Sequence, residues 1–212
     1  MLLHDIAPNL ALEVGGKVVY FGWQCGIQSR SDAMRRLTFI LAFALLASRL
    51  WSQTPTQEES TLTRVGQDAP TFEFTTLDGT QTDLKSLRGN VVLVNFFATW
   101  CGPCMAEMPH LEKEVWQKFK GGNFAMVAIG REHENKELGD FPKKRQVTFP
   151  IAGDPKRKIY SRFATHYIPR NYVIDRDGKI IFQPIGFEAP EFARMIEVIK
   201  KELERKSPGK EK

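Results

Sequence analysis

Seven residues, Val91-Val92-Leu93-Val94-Asn95-Phe96-Phe97, constrain this chain more than any others. The run is β-branched and aromatic, with almost no polar interruption. A strand of this kind is covered on both faces. It leads directly into Trp100-Cys101-Gly102-Pro103-Cys104 and then into a helical pattern. From Pro103 to Lys120 the apolar residues Met105, Met108, Leu111, Val115 and Phe119 recur at helical spacing, and Gly121-Gly122 ends the segment. A buried strand therefore delivers a C-x-x-C pair to the start of a helix.

The surrounding sequence alternates the same two kinds of element. Phe72 to Thr76 alternates apolar and polar residues, Asp78-Gly79 offers a hairpin turn, and Gln81-Thr82 returns. Leu84 to Leu87 reads as a short helical turn closed by Gly89. Phe124 to Ile129 is a further apolar strand, and His133 to Arg145 is polar and partly helical. Asp154-Pro155 predicts a helix through Phe163, with Pro in its first turn. Asn171 to Ile174 and Lys179 to Gln183 flank the turn Asp175-Arg176-Asp177-Gly178. Ala189 to Glu204 is amphipathic, with Phe192, Met195, Ile196, Ile199 and Leu203 on one face. A parallel β-α-β start and an antiparallel finish predict an α/β fold: a mixed central sheet with helices on both faces and an N-terminal β-hairpin.

A chain of 212 residues allows one such domain and an appendage. Its hydrophobic share of 42% and charged share of 26% exclude a disordered or multi-span membrane protein. The net charge of +5 lacks the dense basic stripe of a nucleic-acid binder. The appendage lies at the N-terminus. Met34-Arg35-Arg36 precedes an apolar run, Leu37 to Ala47, followed by small and polar residues, which is the layout of a secretory signal peptide. Between Arg36 and Arg49 a helix would span about 18 Å, against roughly 30 Å of hydrocarbon, so a permanent span is not expected. The expected organisation is 1–33 a mis-assigned start or an extension, 34–52 a signal peptide, 53–68 a polar linker, 69–205 the folded domain and 206–212 a frayed tail. A periplasmic or otherwise extracytoplasmic location follows, with the membrane met only transiently through the signal segment.

The chain has three cysteines, too few for a disulfide framework. Cys25 stands alone. Cys101 and Cys104 form a pair whose spacing on a first helical turn, about 5–6 Å, a disulfide can close. The free N–H groups and the helix dipole favour a thiolate at the first of them. Cys101 is thus the candidate nucleophile and Cys104, one turn in and more buried, the resolving thiol; a static disulfide is the alternative. Pro103 suits the first turn. His4, His110, His133 and His166 are scattered, so no metal site is expected.

Trp100-Cys101-Gly102-Pro103-Cys104 is similar to the thioredoxin signature. Together with Ala69-Pro70-Thr71-Phe72, the Leu77-Asp78-Gly79 turn, Leu87 to Trp100 and Ile174 to Ile180, it resembles the TlpA/ResA-type extracytoplasmic thiol-disulfide oxidoreductases of the thioredoxin superfamily. The resemblance covers about residues 65–203 and implies a thioredoxin-like fold. It implies a cis-proline facing the pair at Pro169, which with Ile168 and Trp100 would receive the substrate peptide. It implies structural roles for Gly102, Pro103 and Pro109, the last kinking the active-site helix. Thioredoxins carry a buried Asp where this chain has Asn95; the closer relatives use an acid three residues after the second Cys, here Glu107. Partly buried, Glu107 would take the Cys104 proton; the alternative is a solvated helix glutamate, the reading given to Glu112 and Glu114. Phe97 stands where Trp is commoner and is read as packing. Arg170 stands where Thr is commoner, either stabilising the Cys101 thiolate and selecting acidic partners or facing solvent. A Thr three residues before the reactive Cys, the peroxidase mark, is absent.

The activity implied is disulfide reduction by dithiol/disulfide exchange, with the Cys101–Cys104 disulfide as the redox centre and no other cofactor. Partners would be protein thiols and disulfides and an upstream electron-donor thiol protein, met by a monomer. An oxidase or isomerase is the nearest alternative, and a copper chaperone with both cysteines as soft ligands the more distant one.

Overall fold

The computed structural model describes residues 54–205 and, nearer the N-terminus, strands β1 (Ala11–Val14) and β2 (Lys17–Tyr20). The chain divides into two compact units, Met1–Thr54 and Pro55–Lys212. In the first, β1 and β2 pair antiparallel, Ala11 opposite Tyr20 and Val14 opposite Lys17. Cys25, the signal-like segment 34–52 and the tail 206–212 lie outside the described residues.

The second unit is built on a five-stranded mixed sheet. In chain order its strands are β5 (Val91–Phe97), β6 (Phe124–Arg131), β7 (Ile151–Asp154), β8 (Arg170–Ile174) and β9 (Ile180–Phe182), and in space they run β7-β6-β5-β8-β9. β6 is parallel to β5 and to β7, whereas β8 is antiparallel to β5 and to β9. All seven residues of β5 are buried, as its unbroken apolar run requires. Its pleat sends Val91, Leu93 and Phe97 to one core cluster and Val92, Val94 and Phe96 to the other.

On the first face helix α1 (Gly102–His110), the stretch that follows it and the C-terminal helix contribute Met108, Leu111, Val115, Met195 and Ile199 to one core cluster. The expected helix 103–120 changes pitch. α1 contains Pro109, which lacks the N–H that would bond the Met105 carbonyl, and it passes into a π-helical stretch (Leu111–Trp116) and a final turn, α2 (Gln117–Phe119). Short helices α3 (Asn135–Leu138) and α4 (Phe141–Arg145) follow β6, and α5 (Ala189–Glu204) closes the chain where its amphipathic pattern predicts. Phe97 is packing, its ring 5.0 Å from that of Phe141. On the second face lie the hairpin β3 (Glu73–Thr75) and β4 (Gln81–Asp83), a 3-10 turn (Lys85–Leu87) and a second 3-10 turn (Tyr160–Arg162).

Two further stretches differ from expectation. No helix runs from Asp154 to Phe163. Instead the Asp154 carboxylate, at the end of β7, accepts N–H bonds from Ile159 (3.0 Å) and Tyr160 (2.8 Å), folding the chain back through Arg157 at φ 55°. The polar segment read as a linker is stitched to the domain from Pro55 on. Leu62 N–H bonds to Phe163 O (2.9 Å) and Gly66 N–H to Ile180 O (2.7 Å), and Ser60 and Thr63 are buried.

Candidate active site

β5 ends at Phe97, and its C-terminal edge opens the site. Cys101 is the N-cap of α1, with extended backbone (φ −85°, ψ 107°) and Pro103 inside the first turn. The cap forms because the Cys101 sulfur accepts the Cys104 N–H at 3.2 Å, one of the donors a helix start leaves free. Cys101 and Cys104 are joined as a disulfide, with Cα atoms 5.3 Å apart. Cys104 is fully buried and Cys101 is 6% exposed, so Cys101 is the more accessible of the two residues, though only narrowly. Trp100 beside it is 61% exposed, with the Arg131 guanidinium 5.3 Å from its ring centre. Gly102 and Pro103 are exposed on the helix start, and Pro109 is exposed further along.

Across from the pair lies the loop that precedes β8. The Ile168–Pro169 peptide is cis, as the resemblance implies, and the Ile168 carbonyl oxygen is 3.7 Å from Cys101 Sγ. Pro169 is buried and Ile168 half-buried.

Glu107 follows Cys104 by three residues and lies on the same helical face. It is fully buried, not solvated. Asn95 Nδ2 donates to its Oε2 (3.0 Å) and Asn171 Nδ2 to its Oε1 (2.6 Å). Sheet register explains the clamp: Asn95 of β5 stands opposite Asn171 of β8, so both amides project toward α1, linked by a 2.9 Å bond. Burial pushes the Glu107 carboxyl up to about 8, against the opposing pull of the two amide donors.

Sequence reasoning did not assign Asn171 a role; its one signal is a polar residue directly before the apolar run Tyr172-Val173-Ile174. It also missed His133, which is buried with Nε2 accepting the Thr99 N–H at 3.0 Å, fixing the turn before Trp100. Two expectations are corrected. Glu112 is not solvated charge: its carboxylate accepts bonds from Thr148 N–H (2.8 Å), Thr148 Oγ1 (2.7 Å) and Gln117 Nε2 (2.5 Å). Arg170 does not face solvent; it is buried, its guanidinium bonded to Ser60 and Thr61 and to the His166 and Tyr167 carbonyls. Glu114 pairs with His110 at 2.6 Å on the helix surface. Among the described residues no group of three or more His, Cys, Asp and Glu could hold a metal.

A mixed sheet that delivers a capped C-x-x-C disulfide to a helix start, opposite a cis-proline, defines a thioredoxin-like protein disulfide oxidoreductase. Known proteins agree. Residues 65–183 match the model of the AhpC/TSA family. The thioredoxin-like protein YneN of Bacillus subtilis is 36% identical over 149 residues, 68% of this chain and 85% of that one. The thiol-disulfide oxidoreductase ResA of Bacillus cereus is 34% identical over 128 residues, 60% of this chain and 73% of that one. Among solved structures, a candidate protein disulfide isomerase from Bacteroides thetaiotaomicron superposes with a TM-score of 0.67 at 38% identity, over 69% of this chain and 94% of that one. The chain belongs to the AhpC/TSA family, as a TlpA/ResA-like thiol-disulfide oxidoreductase.

Proposed function

We propose that the protein is a disulfide reductase of the cell envelope. The observation that carries the reading is the arrangement on one helix of a narrowly accessible Cys101 at the N-cap, a fully buried Cys104 and a fully buried Glu107. In the reduced protein the Cys104 N–H and the helix N-terminus favour the Cys101 thiolate. This thiolate attacks one sulfur of a substrate disulfide, whose peptide lies along Trp100, Ile168 and Pro169. The S–S bond breaks, one substrate thiolate leaves and a mixed disulfide forms. Glu107 in its ionised form, whose share grows as pH rises toward about 8, then takes the Cys104 proton, and Cys104 attacks Cys101 Sγ. The second substrate thiolate leaves and is protonated. Two electrons and two protons pass from the dithiol to the substrate, leaving the Cys101–Cys104 disulfide, which an upstream thiol protein reduces. Beyond that disulfide the reaction needs no cofactor.

The Gly102-Pro103 dipeptide resembles the reducing members and supports this direction over oxidation or isomerisation. The basic-then-apolar layout of Met34 to Ser48 supports export, and no helix among the described residues is long and apolar enough to cross a membrane. The test is trapping. Cys104→Ser should accumulate a mixed disulfide through Cys101, Cys101→Ser should abolish insulin-disulfide reduction, and the wild type should reduce insulin rapidly. Faster oxidation of reduced thiol proteins than reduction of insulin would reverse the direction. Trapping through Cys104 instead would reverse the two cysteine roles.

A further inference from the structure

Arg170 is the largest fully buried side chain of the described residues, at 1% exposure. Its hydrogen-bond partners are all neutral oxygens, and they fall into two sets. Nε donates to the carbonyls of His166 (3.0 Å) and Tyr167 (3.2 Å), in the loop that leads to Pro169. Nη1 donates to Thr61 Oγ1 (2.9 Å) and Nη2 to Ser60 Oγ (2.6 Å), in the strap that runs from Pro55 into the domain. One planar fork thus grips two segments about a hundred residues apart in sequence, |i−j| being 110 for Ser60.

Other contacts double the grip. Thr165 N–H bonds to Ser60 O (2.9 Å), the Tyr167 hydroxyl to Pro55 O (2.7 Å) and the Tyr160 hydroxyl to Tyr167 O (2.7 Å). The last two meet at Tyr167, whose φ of 68° is a conformation that a bulky residue holds only where its surroundings over-determine it. The next residue is Ile168, whose carbonyl lies against Cys101 Sγ. An apolar side chain would fill the Arg170 site without burying a charge. What the guanidinium adds is direction, since five donors in a rigid plane fix where the loop carbonyls stand.

We propose that Arg170 is a positioning residue for the substrate: by clamping the loop 165–169 to the strap 55–65, it holds the Tyr167–Ile168 backbone edge at the distance from Cys101 that a protein disulfide requires. This rests on the reading of that edge as the place where the substrate peptide lies. The strap then belongs to the substrate site although none of its residues touches a reacting sulfur.

The test uses the full chain with dithiothreitol as donor and insulin as substrate, comparing wild type, Arg170→Lys and the double variant Ser60→Ala/Thr61→Ala. The expected result is a rise of roughly tenfold in the insulin KM, short of the ~10²-fold that an ångström of misplacement can cost, with kcat within about twofold. The pH dependence of Cys101 alkylation should not move. The double variant removes only two hydroxyls and keeps the falsifying arm intact if Arg170→Lys fails to fold. An unchanged KM in a folded double variant would overturn the proposal. So would an alkylation profile that shifts with KM, which would make Arg170 a thiolate-tuning group. A wild type inert toward insulin would overturn the functional reading itself, and the positioning role with it.

Discussion

At Glu107 two opposed influences meet: burial penalises the carboxylate, and two amides solvate it. Burial wins, lifting the carboxyl from 4.5 to about 8. The sign for stability follows. The folded state keeps a proton that the unfolded chain releases, so stability falls as pH rises from about 4.5 to about 8 and then levels. Glu107→Gln lacks that titration. Its stability relative to wild type should therefore improve across the same window, by an amount on the order of a few kcal/mol, in urea unfolding at pH 5 and pH 8.5. The same variant should leave the first attack by Cys101 nearly intact and slow resolution by Cys104 by roughly 10²-fold, the low end for losing a general base. Stopped-flow kinetics on a mixed disulfide separates the steps, and an unchanged resolution rate across pH 6–8 would remove Glu107 from the chemistry. Asn171→Ala removes one of the two donors to the carboxylate, so the carboxyl should titrate higher still and the resolution profile should move to higher pH.

Among the elements, the junction of β7 with α3 leaves no room for a side chain at its glycine. A Cβ on Gly153 would lie 2.3 Å from His133 O and 2.9 Å from Asn135 N, both backbone atoms that cannot swing away. Asn135 completes the joint: its Oδ1 accepts the Gly153 N–H at 2.6 Å, and its Nδ2 donates to Thr75 O of β3 at 2.8 Å. Gly153→Ala must push α3 off the sheet, and it should cost about 1–3 kcal/mol in thermal or chemical unfolding. Because His133 holds the Thr99 N–H, the same substitution should also disturb the turn ahead of Cys101, visible as faster amide exchange at Thr99. On the other side of the site, Glu112 latches the π-helical stretch to Thr148. Glu112→Ala leaves the Thr148 N–H and hydroxyl without their acceptor, at a cost of about 1–3 kcal/mol.

For the molecule as a whole, two sequence features set expectations for redox poise and address. The Gly102-Pro103 dipeptide places the expected reduction potential nearer the ~−270 mV of thioredoxin than the ~−120 mV of a strong oxidant such as DsbA. Equilibration against dithiothreitol and glutathione buffers reads this directly, and a value near the oxidant's would argue against a reductase. Export predicts a mature chain that begins between about Ser48 and Gln57, which would retain Ser60 and Thr61 and with them the Arg170 clasp. N-terminal sequencing from the envelope fraction decides it, and an intact chain starting at Met1 in the cytosol would sink the address.

What could be read from the sequence is what repeats or caps locally. The β5 run, the Trp100-to-Cys104 motif and the ends of α5 are visible because burial on both faces, a helix N-cap and an amphipathic period each occupy neighbouring residues. Glu107 is implied by the resemblance, which puts an acid three residues after the second Cys, and that spacing keeps it on the Cys104 face of one helix. Its clamp was not legible, because Asn171 is 64 residues away and is brought there only by the β5–β8 register. His133 reaches Thr99 across 34 residues, and Arg170 reaches Ser60 across 110. The strap carries no periodicity for the same reason: its backbone meets the domain at isolated bridges, Thr61 opposite Ala164 and Asp68 opposite Lys179, not along a continuous neighbouring strand. The turn after β7 misled because Asp154-Pro155 has the local form of a helix start, while the Asp154 carboxylate spends its bonds on Ile159 and Tyr160. Local chemistry determined the redox pair and the elements that carry it. Only the tertiary structure decided which distant polar groups surround the pair, because a buried polar side chain takes whatever partner the packed sheet sets beside it.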